Sequence, residues 1–312
     1  MAPSKESEAL TSLFKQFAAA FPKEDNVFLE RAIYDQVSQA ASEPTHVSYE
    51  DTTITSNSLT VPCKWLKPED AAPNHAILFL HGGGYSFGSV NSHRKMAAYL
   101  AKACGLNALM VEYRRTPEVA FPAPLEDCFA AYTWLIESHG VPAERIVVMG
   151  DSCGGGLSAA IPLMALQKGV PVPGLSVALS PQYDSVGEAS DSQRTNIEND
   201  ALCKAATVGK LIGRHTHDGK AAKADNPLVS PLFASDADLK KMPPTWISAA
   251  GYDTLLNDST RMGERLKKVG VEVVVEISEG MQHVFEFLAG KAPEADKSIA
   301  AIGKWVKQKF AL

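Results

Sequence analysis

A serine between glycines is the side chain of this sequence best suited to act as a nucleophile. Ser152 lies in the segment Gly150-Asp-Ser-Cys-Gly154, which has the pattern G-x-S-x-G. The apolar run Ile146–Met149 comes before it, and a helical pattern begins at Gly155. A strand, this motif and a helix in that order are typical of a nucleophile elbow, a tight turn that presents the serine hydroxyl above a sheet.

Three consecutive glycines follow another predicted strand. The segment His81-Gly-Gly-Gly84 comes directly after the apolar run Ala76–Leu80. Glycines allow backbone N–H groups to turn toward a ligand at close approach. Active sites of open α/β sheets lie at the carboxyl ends of strands, where Ser152 also lies. The glycine loop is therefore predicted to bind the oxyanion that forms during a reaction at Ser152.

A nucleophilic serine requires a base, and the base requires an orienting carboxylate. Asp253 follows the predicted strand Trp246–Ala250, and His283 follows the next strand, Val271–Ile277. Because both residues follow strand ends, we expect them to meet the serine at one edge of the sheet. The sequence therefore predicts Ser152, Asp253 and His283 as a catalytic triad.

The identity of the acid has an alternative. Asp184 follows the predicted strand Leu175–Leu179 and is a rival for the same imidazole. Asp258 is predicted to cap a helix or to support the site indirectly.

Short apolar runs that alternate with helical patterns occupy most of the chain after residue 75. This alternation predicts a mainly parallel sheet covered by helices. A partly alternating stretch, Val47–Leu66, predicts an antiparallel hairpin before it. Two helical segments, residues 5–21 and 27–40, precede the first strand and form either a packing arm or part of a lid. Residues 184–226 contain no clear strand and are predicted to be an insertion above the sheet.

Composition excludes several classes of protein. A net charge of −6 without basic runs argues against a nucleic-acid partner, and no apolar run is long enough for membrane insertion. The five cysteines are scattered without a C-x-x-C pair, which favours reduced thiols in the cytoplasm over disulfides or a zinc site. Phosphate-binding and dinucleotide-binding motifs are absent. We therefore expect no metal and no cofactor.

Further motifs carry a family resemblance over about residues 75–310. Together with the glycine loop and the elbow, the chain resembles the hormone-sensitive-lipase family (HGGG type) of α/β-hydrolase carboxylesterases. The additional motifs are Tyr113-Arg-Arg-Thr-Pro-Glu118, Phe121-Pro-Ala-Pro-Leu-Glu-Asp127, Ser180-Pro181, Asn226-Pro-Leu-Val-Ser-Pro231 and Gly280-Met-Gln-His-Val-Phe285.

The resemblance implies an α/β-hydrolase fold with the triad already predicted. It also implies that the amides of Gly83, Gly84 and Cys153 form the oxyanion hole. Residues 1–45, with part of 184–226, would be a helical cap on a catalytic domain of residues 46–312. The family usually has alanine at the position of Cys153, so a thiol is expected to line the site.

The predicted function is that of a serine carboxylesterase that hydrolyses short- to medium-chain esters through an acyl-enzyme. An amidase or formamidase, or a lactone hydrolase, would use the same triad. A non-catalytic small-molecule receptor is a more distant alternative, since such proteins lose the serine or the histidine that this chain retains. The only predicted partner is a small-molecule ester, and the chain is expected to be a monomer or a homodimer paired along the edge strand Val271–Ile277.

Overall fold

The computed structural model describes residues 3–56, 58–186 and 190–312, and a sheet of eight strands forms the centre of that part of the chain. The strands are β1 (Val47–Ser56), β2 (Leu59–Pro68), β3 (Ala76–Leu80), β4 (Asn107–Val111), β5 (Ile146–Asp151), β6 (Leu175–Leu179), β7 (Thr245–Ala250) and β8 (Val273–Ser278). Their order across the sheet is β1-β2-β4-β3-β5-β6-β7-β8. The first two form an antiparallel hairpin, β2 pairs antiparallel with β4, and the others pair in parallel. The predicted hairpin and mainly parallel sheet are confirmed.

Helices lie between the strands at nearly the predicted positions. They are α1 (Lys5–Ala20), α2 (Val27–Tyr34), α3 (Val90–Cys104), α4 (Ala123–Glu137), α5 (Cys153–Lys168), α6 (Asp191–Thr195), α7 (Ala205–Thr216), α8 (Asp236–Leu239), α9 (Leu256–Lys268) and α10 (Pro293–Phe310). No helix among the described residues is both long enough and apolar enough to pass through a lipid bilayer.

The central strands are buried on both faces because helices cover both. Along β3, Ile77 and Phe79 belong to a core shared with α1, α3 and α10, whereas Leu78 and Leu80 belong to a core shared with α4 and α5. Successive side chains of a strand point to opposite faces, so an uninterrupted apolar run is needed to fill both cores. This burial on both faces explains why every residue of β3 is hydrophobic.

The pairing register brings distant loops to one edge of the sheet. Leu80 at the end of β3 pairs with Gly150 in β5, so the glycine loop and the elbow leave the sheet side by side. Ala250 at the end of β7 likewise pairs with Ser278 in β8, which brings the loops after those strands together. Since all these strands are parallel, their carboxyl ends share one edge.

The N-terminal helices and the inserted segment are tied to the rest of the fold by specific bonds. The backbone N–H and hydroxyl of Ser4 donate to the two carboxylate oxygens of Glu294, at 2.8 and 2.7 Å, and anchor the start of α1. Phe14 of α1 is completely buried. Within the segment 184–226 the described residues form α6 and α7, and residues 187–189 lie outside the described residues.

Candidate active site

The turn at Ser152 has a backbone conformation that L-residues rarely adopt. Its φ is 55° and its ψ is −122°, and it separates β5 from α5. The Ser152 N–H donates to the Leu179 carbonyl at 2.8 Å, and its carbonyl accepts from the amides of Gly156 and Gln182, both at 3.0 Å. These bonds hold the strained turn in place. Ser152 remains partly exposed, while both of its neighbours are buried.

Close packing explains the two glycines of the motif. A Cβ added at Gly150 would lie 2.3 Å from the carbonyl oxygen of Gly154, and one added at Gly154 would lie 2.0 Å from the carbonyl oxygen of Leu80. Both distances are far below van der Waals contact. The turn that presents Ser152 therefore excludes any side chain at these positions.

Asp253 and His283 form a buried pair. The Nδ1 atom of His283 lies 2.7 Å from Oδ2 of Asp253, and both side chains are buried. The other carboxylate oxygen accepts a hydrogen bond from the Leu255 amide at 2.8 Å. Asn196, which the sequence analysis did not identify, donates from Nδ2 to the carbonyl of Asp253 at 2.8 Å. The Leu255 amide therefore holds the carboxylate, and Asn196 holds the backbone of the same loop.

One cavity of about 320 Å³ contacts the predicted nucleophile, the predicted base and the glycine loop. Ser152, His283, Gly83 and Gly84 all contribute to its lining. The Ser152 hydroxyl and the His283 imidazole, both among the described residues, do not form a hydrogen bond with each other. Such bonds are often long or misaligned without substrate and tighten when the substrate binds.

The environment of His283 controls its protonation. Burial lowers the pKa of the imidazole, but the Asp253 carboxylate and the Cys203 side chain together outweigh burial and raise the pKa well above its ordinary value. A carboxylate bonded to Nδ1 also fixes the ring so that Nε2 is the nitrogen left for proton exchange.

The two other candidate acids make different contacts. Asp184 forms an ion pair with Arg261 at 2.6 Å. Asp258 accepts hydrogen bonds from the amides of Tyr183 and Asp184, at 2.7 and 2.8 Å, and burial raises its pKa to about 8. These partners give Asp184 and Asp258 roles in holding the loop after β6.

The glycine loop offers a free donor to the cavity. Gly83 and Gly84 have φ values of 109° and 58°. A Cβ at Gly83 would lie 2.5 Å from the carbonyl carbon of Phe87, and one at Gly84 would lie 2.4 Å from Cδ1 of Leu211. The N–H of buried Gly83 has no hydrogen-bond partner among the described residues. Because buried amides are almost always paired, this N–H is available to a ligand oxygen.

Asp151 supports the glycine loop, a role that the sequence analysis missed. Its Oδ1 accepts from the Gly82 amide at 3.1 Å, and its Oδ2 lies 3.2 Å from Nε2 of His93. Asp151 and His93 are completely buried. The signal was present in the motif, because Asp151 is the residue directly before Ser152.

The expectation that the Cys153 thiol lines the site is wrong. Its sulfur is completely buried, accepts a hydrogen bond from the Tyr85 amide at 3.2 Å and lies 3.9 Å from Oη of Tyr113. The backbone N–H is a separate matter: Cys153 is the first residue of α5, where amides lack an acceptor within the helix.

A different cysteine contacts the cavity. Cys203 belongs to its lining, and the sulfur, one imidazole nitrogen of His283 and one carboxylate oxygen of Asp253 all lie within 4.8 Å of one another. Burial raises the pKa of the Cys203 thiol to about 12, so it is protonated at neutral pH. Sequence spacing gave no signal for this contact, since these residues come from three separate segments.

Two chain segments outside the sheet close the cavity. Glu30 of α2, which is 3% exposed, pairs with Lys210 at 2.7 Å and Arg214 at 3.0 Å, both in α7. Asp25 pairs with the same two cations. The apolar part of the lining includes Phe21, Tyr34, Phe87, Leu202, Val208, Leu211 and Leu255.

The amino-acid sequence is similar to those of known hydrolases. A model of a family with the alpha/beta hydrolase fold matches residues 77–287. The chain is 30% identical to an acetyl-hydrolase of Streptomyces hygroscopicus over 85% of its length and 89% of the relative's. It is 29% identical to an ethyl acetate hydrolase of Pseudomonas putida over 86% and 84% of the two chains.

The solved structures include similar proteins. The structure of an esterase from the bacterial hormone-sensitive lipase family superimposes with a TM-score of 0.90, at 33% identity, over 99% of both chains. The similarity therefore extends over both segments that close the cavity as well as the sheet.

Proposed function

Because this chain belongs to the hormone-sensitive-lipase family of α/β-hydrolases, we propose that Ser152, His283 and Asp253 are the triad through which it acts. The protein is a carboxylic ester hydrolase, and its substrate is a small-molecule ester. The observation that carries the triad is the buried Asp253–His283 pair, joined at 2.7 Å, beside a cavity that Ser152 also lines.

In the proposed acylation step, the Ser152 oxygen attacks the ester carbonyl carbon as His283 Nε2 takes the hydroxyl proton. Asp253 stabilises the imidazolium that forms. The carbonyl oxygen becomes an oxyanion that accepts hydrogen bonds from the amides of Gly83, Gly84 and Cys153. When the tetrahedral intermediate collapses, the bond to the alcohol oxygen breaks and His283 gives its proton to the departing alcohol.

Deacylation repeats these steps with water as the nucleophile. His283 accepts a proton from the water as its oxygen bonds to the acyl carbon. The second tetrahedral intermediate collapses, the bond to Ser152 breaks, and the proton returns to the serine oxygen. The acid is released and the enzyme regains its initial state.

The segments that close the cavity define the cap. We assign residues 1–45 and part of 184–226 to this cap and residues 46–312 to the catalytic domain. The ion pairs that join α2 to α7 support the assignment, because they connect the two cap segments across the cavity. A cavity of about 320 Å³ lies at the small end of ligand sites, which favours short- to medium-chain acyl groups.

The cysteines indicate the cellular compartment, and the edge of the sheet indicates the oligomeric state. All five cysteines are free thiols, which supports a reducing compartment such as the cytoplasm. The strand β8 is the last strand of the sheet, and its outer edge could pair with the same strand of a second copy. The protein is therefore proposed to be a monomer or a homodimer paired along β8.

Replacing the nucleophile tests the proposal. Ser152→Ala should lower kcat for p-nitrophenyl acetate by about 10⁶-fold, because removing the serine of such a triad removes the acyl-enzyme route. Ser158→Ala, in the helix that follows the elbow, is the matched control and should remain active. Turnover of a matched anilide alongside the ester measures the preference for esters over amides. A Ser152→Ala enzyme that retains most of its activity while folded would contradict the triad.

A further inference from the structure

We propose that Cys203, His283 and Asp253 form a binding site for a soft divalent cation such as Cd²⁺ or Zn²⁺, and that the bound ion stops ester hydrolysis. The binding site stands on its own geometry, while the inhibition rests on the proposed triad. Each residue contributes one ligand atom, and the three atoms lie within 4.8 Å of one another.

The donor set suits a soft or borderline metal ion. A thiolate, an imidazole and a carboxylate are ligand types that Zn²⁺ and Cd²⁺ both accept. Three protein ligands with a fourth position open to water is the usual arrangement of a non-structural zinc site. Bonds of about 2.0 to 2.3 Å place two ligands of one zinc ion about 3 to 4 Å apart, so small side-chain rotations would close the site.

The backbone of Cys203 is held in place from both sides. Asp200, which is 1% exposed, accepts from the Cys203 amide at 2.8 Å through Oδ1 and from the Thr254 amide at 2.8 Å through Oδ2. The Thr254 hydroxyl in turn donates to the Cys203 carbonyl at 2.6 Å. Since Thr254 is the neighbour of Asp253 in the chain, this network sets the thiol against the carboxylate. The ligands are therefore preorganised by the fold.

Metal binding and catalysis exclude each other at this site. An ion bound to Nε2 of His283 blocks the proton transfer from Ser152, and an ion bound to Nδ1 breaks the bond to Asp253. On binding, the Cys203 thiol releases its proton to solvent, and a protonated His283 also releases one, so that the neutral ring keeps its remaining proton on the nitrogen that does not bind the ion. The sulfur, the imidazole nitrogen and the carboxylate oxygen each donate an electron pair to the cation. No electron is transferred. Because the cavity reaches Cys203, the ion can enter from the substrate side.

The test measures metal binding apart from activity. Cd²⁺ is titrated into the full-length Ser152→Ala protein, with calorimetry and the ultraviolet thiolate-to-cadmium charge-transfer band as readouts. We expect one ion per chain, and Mg²⁺ should not compete because it prefers oxygen ligands. Cys203→Ser in the same background should weaken binding by at least about 100-fold. Cys104→Ser, at a buried cysteine in α3, should bind Cd²⁺ as before.

Activity measurements then separate the two proposals. With Ser152 present, Cd²⁺ should abolish p-nitrophenyl acetate hydrolysis at the concentrations that produce the band, and EDTA should restore it. Cys203→Ser, compared with its own metal-free rate, should lose this sensitivity; Cys203→Ala replaces it if the serine variant fails to fold. Equally tight Cd²⁺ binding without the Cys203 sulfur, or no charge-transfer band, would overturn the site. A band together with no esterase activity in the protein that retains Ser152 would instead reject the proposed function alone.

Discussion

At the residue scale, the reactivity of the site depends on the proton of His283. A protonated imidazole cannot accept the serine proton, so kcat/KM should rise with pH as the imidazole loses its proton. The Asp253 carboxylate raises the pKa of His283. We therefore expect the midpoint of this rise to lie above the ordinary histidine value of about 6.5. A pH profile of ester hydrolysis between acid and mildly alkaline pH measures it.

Substitution of the acid tests the origin of that midpoint. Asp253→Asn removes the negative charge and leaves burial, which lowers the pKa, so the midpoint should move to lower pH. The plateau rate should fall by about 10⁴-fold, because the ring loses its orienting carboxylate. Asp184→Asn, which alters the ion pair with Arg261, is the control and should leave the midpoint in place. A larger loss in Asp184→Asn than in Asp253→Asn would transfer the role of the acid.

At the element scale, the position of the cap depends on ion pairs between α2 and α7. Glu30 is buried between Lys210 and Arg214, so its charge has little contact with water. Glu30→Gln should lower the free energy of unfolding by about 1.5–3 kcal/mol, since a charged hydrogen-bond acceptor is lost from a buried position. It should also lower kcat/KM, because the cavity lining from α7 is no longer held against α2.

The matched control for this prediction is an exposed ion pair. Asp51, whose side chain is 85% exposed, pairs with Lys64 on the hairpin. Asp51→Asn should change the free energy of unfolding by at most about 1 kcal/mol, because solvent screens such pairs. Urea unfolding of both variants compares them. Equal effects of the two substitutions would show that the pairs between α2 and α7 add no more than a surface contact.

At the scale of the whole molecule, the size of the cavity limits the substrate. The cavity is lined by the loops at the sheet edge and by both segments of the cap, and its volume is about 320 Å³. With p-nitrophenyl esters of increasing acyl length, kcat/KM should be highest for short and medium chains. For a palmitoyl ester it should be at least about tenfold lower, because most of that acyl chain cannot fit in the cavity and gains no contacts there.

One side chain tests whether the cap sets this limit. Leu211 of α7 lies against Gly84, where an added Cβ would come within 2.4 Å of its Cδ1. Truncation in Leu211→Ala should enlarge the cavity and shift the preference toward longer acyl chains. Equal kcat/KM for acetyl and palmitoyl esters in the unaltered protein would show that the cavity does not select by length.

The sequence by itself determined the sheet, its flanking helices and the loops that carry the reactive side chains. It could do so because strand and helix patterns are local, and because parallel strands bring their carboxyl ends to one edge whatever lies between them. The glycines at 150 and 154 were equally readable, since the elbow leaves no room for a side chain there.

Only the tertiary structure decided which groups contact one another across the cavity. The sequence placed a thiol at position 153 in the site, yet packing turned that sulfur toward Tyr113 and brought Cys203 into the cavity instead. The choice between Asp253 and Asp184 likewise depended on which carboxylate reached the imidazole and which reached Arg261. Side-chain direction and the docking of the cap arise from contacts between segments far apart in the chain, and no local pattern encodes those contacts.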